Sequence, residues 1–518
     1  MHPPRWYWRR LRAMSVPEIA HRARRLVTAP LDRRVHLPSR FVSWTGPDIP
    51  YRLAADRATA DCILRGERDV LGIGRITLPR RFDDPRLTWE LERGHDWVTV
   101  AAVADQDTRF RSWLEQAVIG EPPRAAMEAA IRIHSLVAVA ALTRPAPPTN
   151  CAKMIFQHAA FVEGHLSAYS SANNHLVVEL TALVVAARVL DTPICHMAAL
   201  ERAVGEQVFD DGVHAEMATH YHAFVLEALA LVALVEHAYG TSHAWLDGTI
   251  AAMAHYLAAL SCDGGLLQQG DDDGGRIVAG FQLPFAETTA SSELFPKAGQ
   301  VVLRSPRLHV TFDAGPFGFG TLAAHAHCDA LAISVACDGT PFLVDRGTYG
   351  YAGDDTVRDE LRATAAHNTL QVADLEQAEV LGPFLWGRKP SVTLERCELA
   401  DRDVVIASHD GFGPATHRRT LLRRGDAMLV IDRADTALPI TARYHLAPDA
   451  AARGWVRAIE GMATMRETRH SRSYGAIELA PTLEVIGQVR LIVALGVGDD
   501  SVVDALLAEA RELGLLTE

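Results

Sequence analysis

Between about residues 100 and 260 apolar side chains recur every three to four positions, the spacing that lines one face of a helix. The blocks PPRAAMEAAIRIHSLVAVAALT, NNHLVVELTALVVAARVL, MAALERAVGEQVF, HAEMATHYHAFVLEALALVALVEHAYG and WLDGTIAAMAHYLAAL carry this pattern, with Pro and Gly between them. They predict successive antiparallel helices. After CDGGLLQQGDDDGGRIV the character changes to short, β-branched, alternating runs: QVVLRSPRLHVTFDAG, ALAISVACDGTPFLVDRG, HNTLQVAD, VVIASHDG, HRRTLLRRGDAMLVIDRAD and VRLIVALGVG. Gly, Asp and Asn turns break them, and LLRRGDAMLVI reads as a hairpin. SVVDALLAEARELGLL returns to a helical period at the end. The pattern predicts a multidomain α+β chain, helical over 1–290 and antiparallel β over 291–518.

Bulk properties narrow the partners. Apolar residues make up 48% and charged residues 22% of the 518, the profile of a chain that buries sizeable cores. The formal charge of −13 gives a nucleic-acid role no global support, so no nucleic acid is expected. Seven scattered cysteines without a C-x-x-C pair argue against a disulfide framework. The first segment, MHPPRWYWRRLRAMSVPEIAHRARRLV, lacks the apolar core and cleavage site of a secretory signal, so a cytoplasmic location is expected. Its Arg and Trp suit either a membrane surface or anionic polymer, or an exposed amphipathic helix. LVVELTALVVAARVL is interrupted by Glu179 and Arg188, and no membrane span is expected.

Candidate chemistry clusters in a few stretches. In HAHCDALAISVACDGTPFLVDRGTYGY an extended chain would turn His325 and His327 to the same side. Asp345 follows the next strand and His367 opens another, so imidazole, imidazole and carboxylate offer a divalent-metal site. Asn174 and His175 stand at a predicted helix start, with Glu179 four residues on and placed to orient His175; the alternative is a capping Asn beside an incidental His. In DDGVHAEMATHYHAFVLEA, His214 and Tyr221 fall two helical turns apart, with His220 and His222 beside them. Arg358 and Arg362, four apart, suit a carboxylate or sulfate; a salt bridge to Asp354 or Asp359 is the other reading. The acidic run Asp271, Asp272, Asp273 reads as a solvated turn, since it lacks the spaced ligands of a calcium loop.

Taken in order, SSANNHLVVE, DDGVHAEMATHYH, GDDDGGR, HAHCDALAISVACDGTPFLVDRGTYGY and RDELRATAAHNTLQVADLEQAE resemble the heparinase II/III family of polysaccharide lyases. The resemblance implies an N-terminal incomplete (α/α) toroid followed by a C-terminal antiparallel β-sandwich, with substrate between them. It implies β-elimination at a uronic acid of an anionic polysaccharide. By the same pattern Tyr221 serves as base, acid or both, His325 as its partner, and Asn174 with His175 neutralises the uronate carboxylate. His214, Glu179, Arg358 and Arg362 are expected around the substrate. His327, Asp345 and His367 match the family's metal positions, for one zinc-like ion that supports the site. Cys328 stands where the family usually has a small residue, and Arg346 replaces a proline after Asp345; Cys328 would compete for the metal. The alternative function is a weakly catalytic or non-catalytic carbohydrate-binding protein of bacterial exopolysaccharide or capsule production. A metal-dependent hydrolase on a β/α barrel is disfavoured, because regular strand–helix alternation is absent.

Overall fold

Helix Ala126–Leu142 shows what an all-apolar helical block requires. Nearly every residue from Met127 to Ala141 is buried, so the helix needs neighbours on all sides. It packs on His95–Ala101, Cys151–Gly164 and Asn174–Val189. The structure is a computed structural model and describes residues 4–28, 46–54, 56–80, 82–120, 125–288, 290–352, 355–448 and 453–516. Asp354 lies outside them. By its internal contacts the chain divides into two units, one of residues 1–208, 223–252 and 274–284, the other of 209–222, 253–273 and 285–518.

The first unit is helical. The predicted blocks appear as Ala126–Leu142, Asn174–Val189 and Met197–Gln207, and the chain also forms Arg57–Leu64, Pro85–Glu92, Thr108–Ala117 and Cys151–Gly164. Helix Thr219–Ala238 is long and apolar enough to cross a membrane, but 78% of its most apolar window is buried, as in the core helix of a folded protein. It starts at Thr219, later than its apolar period suggests, so His214 lies in the preceding turn and not on its face.

Among the described residues the second unit holds three larger antiparallel sheets and two two-stranded ones. A five-stranded meander runs from Glu293–Phe295 to Thr340–Leu343. The six-stranded sheet takes the order Val392–Glu398, Arg402–Phe412, Ala415–Arg424, Ala427–Ala434, Arg490–Gly496, Trp455–Glu460. The four-stranded sheet joins Leu370–Val372, Pro439–His445, Glu478–Gln488 and Met462–His470. Alternate residues of the six-stranded sheet serve two cores. Val405, Leu421, Met428, Val430 and Val493 face the other two larger sheets, while Val404, Leu422, Leu429, Ile431 and Ile492 pack on Leu506 and Ala510 of helix Val503–Glu512. A strand covered on both faces reads as the unbroken apolar run seen in AMLVI and RLIVAL. The predicted hairpin is present, with Arg424 opposite Ala427. All seven cysteines are free.

Candidate active site

The candidate chemistry of the β-rich unit gathers on Asp271. Gly270 makes this possible: at φ +63° a Cβ there would lie 2.9 Å from both the Ala218 Cβ and the His325 carbonyl oxygen, so only glycine lets the two segments touch. The Asp271 amide then donates to the His325 carbonyl at 3.1 Å. The Asp271 side chain, fully buried, faces His325 Nδ1 at 3.0 Å and His327 Nε2 at 2.9 Å. Arg358 donates to both its oxygens, at 2.5 and 2.7 Å. Burial alone would raise the Asp271 pKa; Arg358 and the two imidazoles outweigh it and hold the group well below the carboxylate range. The solvated-turn reading of the acidic run is therefore corrected, since Asp271 and Asp273 are both buried. A charge run misled because its partners lie 54 to 87 residues away.

Facing the Asp271 carboxylate, His325 Nδ1 is placed to donate, and its Nε2 lies 3.9 Å from Glu216. Its ring stacks on Tyr221 with centroids 3.6 Å apart and planes 18° from parallel. The Tyr221 hydroxyl meets the Tyr351 hydroxyl at 2.9 Å and donates to Asp273 Oδ2 at 3.3 Å. Burial first, then the Asp273 and Asp271 charges, raise the Tyr221 pKa well above the ordinary phenol value. The phenol is protonated at rest. His220 lies 3.1 Å from Asp272 and from Asp273, while His222 bonds the Met253 carbonyl at 2.9 Å. His214 is buried, burial drives its pKa down to about 3, and neither ring nitrogen has a hydrogen-bond partner among the described residues. Tyr351 and Asp271 were missed by sequence reasoning; the TYGY and GDDDGGR strings contain them, but no spacing marked them.

His327, Asp345 and His367 do converge, and Asp329 joins them: one ligand atom from each lies within 4.8 Å of the others. Asp329 stands two residues after His327, a spacing that would have revealed it. His367 Nδ1 faces Asp345 Oδ2 at 2.7 Å, a carboxylate that outweighs burial and raises the His367 pKa, and His327 Nε2 faces Asp271 at 2.9 Å, so each ring commits one nitrogen to a carboxylate and leaves the other for a ligand. Those nitrogens, His327 Nδ1 and His367 Nε2, are buried without a hydrogen-bond partner among the described residues. Asp313, Asp329 and Asp345 line one cavity of about 10 Å³, and burial pushes Asp313 up to about 6. Two bare imidazole nitrogens beside buried carboxylates fit a divalent cation. Cys328 is not in this group; it packs with Ala378 and Trp386, and burial raises its thiol pKa.

His325 and His327 sit in a turn before strand Ile333–Cys337, not in a strand as expected, yet both still face Asp271. Arg362 pairs with Asp359 and donates to the Gly382 and Pro383 carbonyls at 3.0 Å. With Arg358 on Asp271, both guanidinium groups are engaged inside the unit. Arg346 is buried and pairs with Glu360 at 2.6 Å.

In the helical unit Asn173, not Asn174, caps helix Asn174–Val189, accepting from the His175 amide at 3.3 Å. Asn174 is thereby released from capping and fully buried, with half-buried His175 next to it. Glu179 accepts from the Ser167 amide at 2.6 Å and its hydroxyl at 2.8 Å, fixing the segment before the helix.

Residues 124–245 match the family model "Heparinase II/III N-terminus" and residues 287–493 the model "Heparinase II/III-like, C-terminal", more than half of the chain between them. The fold is similar to a crystal structure of heparinase III, at 14% identity and a TM-score of 0.67, covering 92% of this chain and 89% of that one. It is also similar to heparan sulfate lyase HepC from Pedobacter heparinus, at 17% identity and a TM-score of 0.55, covering 88% and 86%. The expected fold class, an (α/α) toroid followed by an antiparallel β-sandwich, is borne out. A search of curated proteins found no match.

Proposed function

Since the chain belongs to the heparinase II/III-like family of polysaccharide lyases, we propose that it cleaves a uronic-acid-containing polysaccharide by β-elimination. The stacked Tyr221–His325 pair anchored on Asp271 carries this reading. The reaction removes the proton on C5 of the uronate, breaks the bond from C4 to its glycosidic oxygen, forms a C4=C5 double bond, and protonates the departing oxygen. It therefore needs one group to take a proton and one to give it. His325, with Nδ1–H held by Asp271, offers Nε2 to the C5 proton. Tyr221, protonated at rest, delivers to the leaving oxygen, with the Tyr351 hydroxyl beside it.

Charge builds on the uronate carboxylate as the proton leaves, and a neutral amide that donates to it lowers the barrier. We assign that part to Asn174, with His175 beside it, and a substrate contact to His214. His327, Asp329, Asp345 and His367 would hold one zinc-like ion. When bound it supplies positive charge that neutralises the buried carboxylates and fixes the wall carrying His325.

The test is a panel of heparan sulfate, hyaluronan, alginate and bacterial capsular polymers, read by ultraviolet absorbance of unsaturated ends. Wild type should yield product on at least one polymer, and Tyr221→Phe should reduce kcat by about 100-fold or more. Absence of product on every polymer would sink the proposal. Metal analysis should find about one ion per chain, lost in His327→Ala; a metal-free wild type refutes the site.

A further inference from the structure

An aromatic ring stands at the edge of the Tyr221–His325 pair. The short hairpin of Val380–Gly382 and Leu385–Trp386 carries Phe384 at its turn. Leu385 and Trp386 are buried at 1% and 3% exposure and anchor the hairpin, while Phe384 remains 36% exposed. Its ring centroid is 5.9 Å from His325 and 5.0 Å from Tyr351, tilted steeply to both.

The turn is held from beneath. Arg362 donates to the Gly382 and Pro383 carbonyls at 3.0 Å and lies over the Trp386 ring at 4.8 Å. Arg358, fixed by Asp271, lies 5.6 Å from the Phe384 ring centre and 4.8 Å from that of Tyr351. The ring is therefore placed in advance, so stacking on it costs little ordering of the protein. The Arg358 guanidinium beside the two rings also helps to hold them in place by cation–π attraction.

We propose that Phe384 is a specificity-determining residue: a platform on which a sugar ring of the acidic chain stacks, next to the residue undergoing elimination. The inference rests on the lyase reading above. A residue needed only for packing would bury its ring as Leu385 and Trp386 do.

The experiment compares wild type, Phe384→Ala and Phe384→Trp on the polymer that wild type cleaves, and measures binding of the same panel to Tyr221→Phe with and without Phe384→Ala by calorimetry. Phe384→Ala should raise KM about fivefold with kcat within about twofold, Phe384→Trp should restore KM, and binding should weaken by the same factor. Unchanged KM and binding in Phe384→Ala overturn the platform and leave the lyase reading standing. If wild type cleaves nothing, the lyase reading falls and binding alone decides: affinity lost with Phe384→Ala supports the platform, and no affinity in either chain overturns it.

Discussion

Four donors converge on the two oxygens of Asp271, and none is replaceable by water, because the carboxylate is fully buried. Removing its charge leaves Arg358 as an uncompensated buried cation, a change that typically costs about 3–5 kcal/mol. Asp271→Asn keeps the volume and loses the charge. It is expected to lower the melting temperature by several degrees and to abolish most turnover, since a carboxamide has one acceptor oxygen for two imidazoles and no longer fixes the tautomer of His325. A variant with wild-type stability would show that the pair contributes little. Gly270→Ala meets the Ala218 Cβ and the His325 carbonyl at 2.9 Å and should be destabilised by a comparable amount, read by denaturant unfolding.

On the scale of strands and loops, one buried arginine holds both halves of the candidate metal group. Arg419 and Asp432 are cross-strand partners, joined through Nε at 2.7 Å and Nη2 at 2.8 Å. The remaining Nη1 donates to the Leu331 carbonyl at 2.8 Å and the Asn368 carbonyl at 2.6 Å. Leu331 closes the loop that carries His327 and Asp329, and Asn368 follows His367. Asp432→Asn should therefore cost about 3 kcal/mol and loosen retention of the bound ion, measured by chelator competition; unaltered retention would confine Asp432 to stability. What the sequence revealed follows from the same geometry. Helices such as Asn174–Val189 and the hairpin Ala415–Arg424 to Ala427–Ala434 were legible because their periods are local. So were His325, His327, Asp345 and His367, whose spacing brings the last three to one point. Asp271 was not, because its burial depends on an arginine 87 residues away, and local polarity pointed to solvent. The start of helix Thr219–Ala238 was misplaced because Val213, Ala215, Met217 and Ala218 are as apolar and buried as the helix that follows them, although they lie before its first turn.

Across the whole molecule, burial leaves several histidines neutral. Burial drives His134 and His214 down to about 3 and His158 and His222 to about 4, and it brings His309 to about 3. An unfolded histidine takes up its proton near pH 6.5. Between that pH and the folded values, the unfolded chain binds protons that the folded chain refuses, so stability falls as pH drops. At pH 5.5 each such residue costs about 1 kcal/mol, and five together approach the 5–15 kcal/mol that holds a typical domain. Asp432, held below the carboxylate range by Arg419 and His417 against its burial, acts in the same direction at lower pH. His134 and His158 lie in the helical unit and the other three in the β-rich one, so both should respond. Thermal unfolding followed by circular dichroism is expected to show a nearly constant melting temperature from pH 8 to 7 and a steep fall from pH 6.5 to 5. His134→Gln, which removes the titrating ring from the helical unit, should make that fall shallower; a melting temperature that stays level down to pH 5 would mean that these rings are solvated in the folded protein.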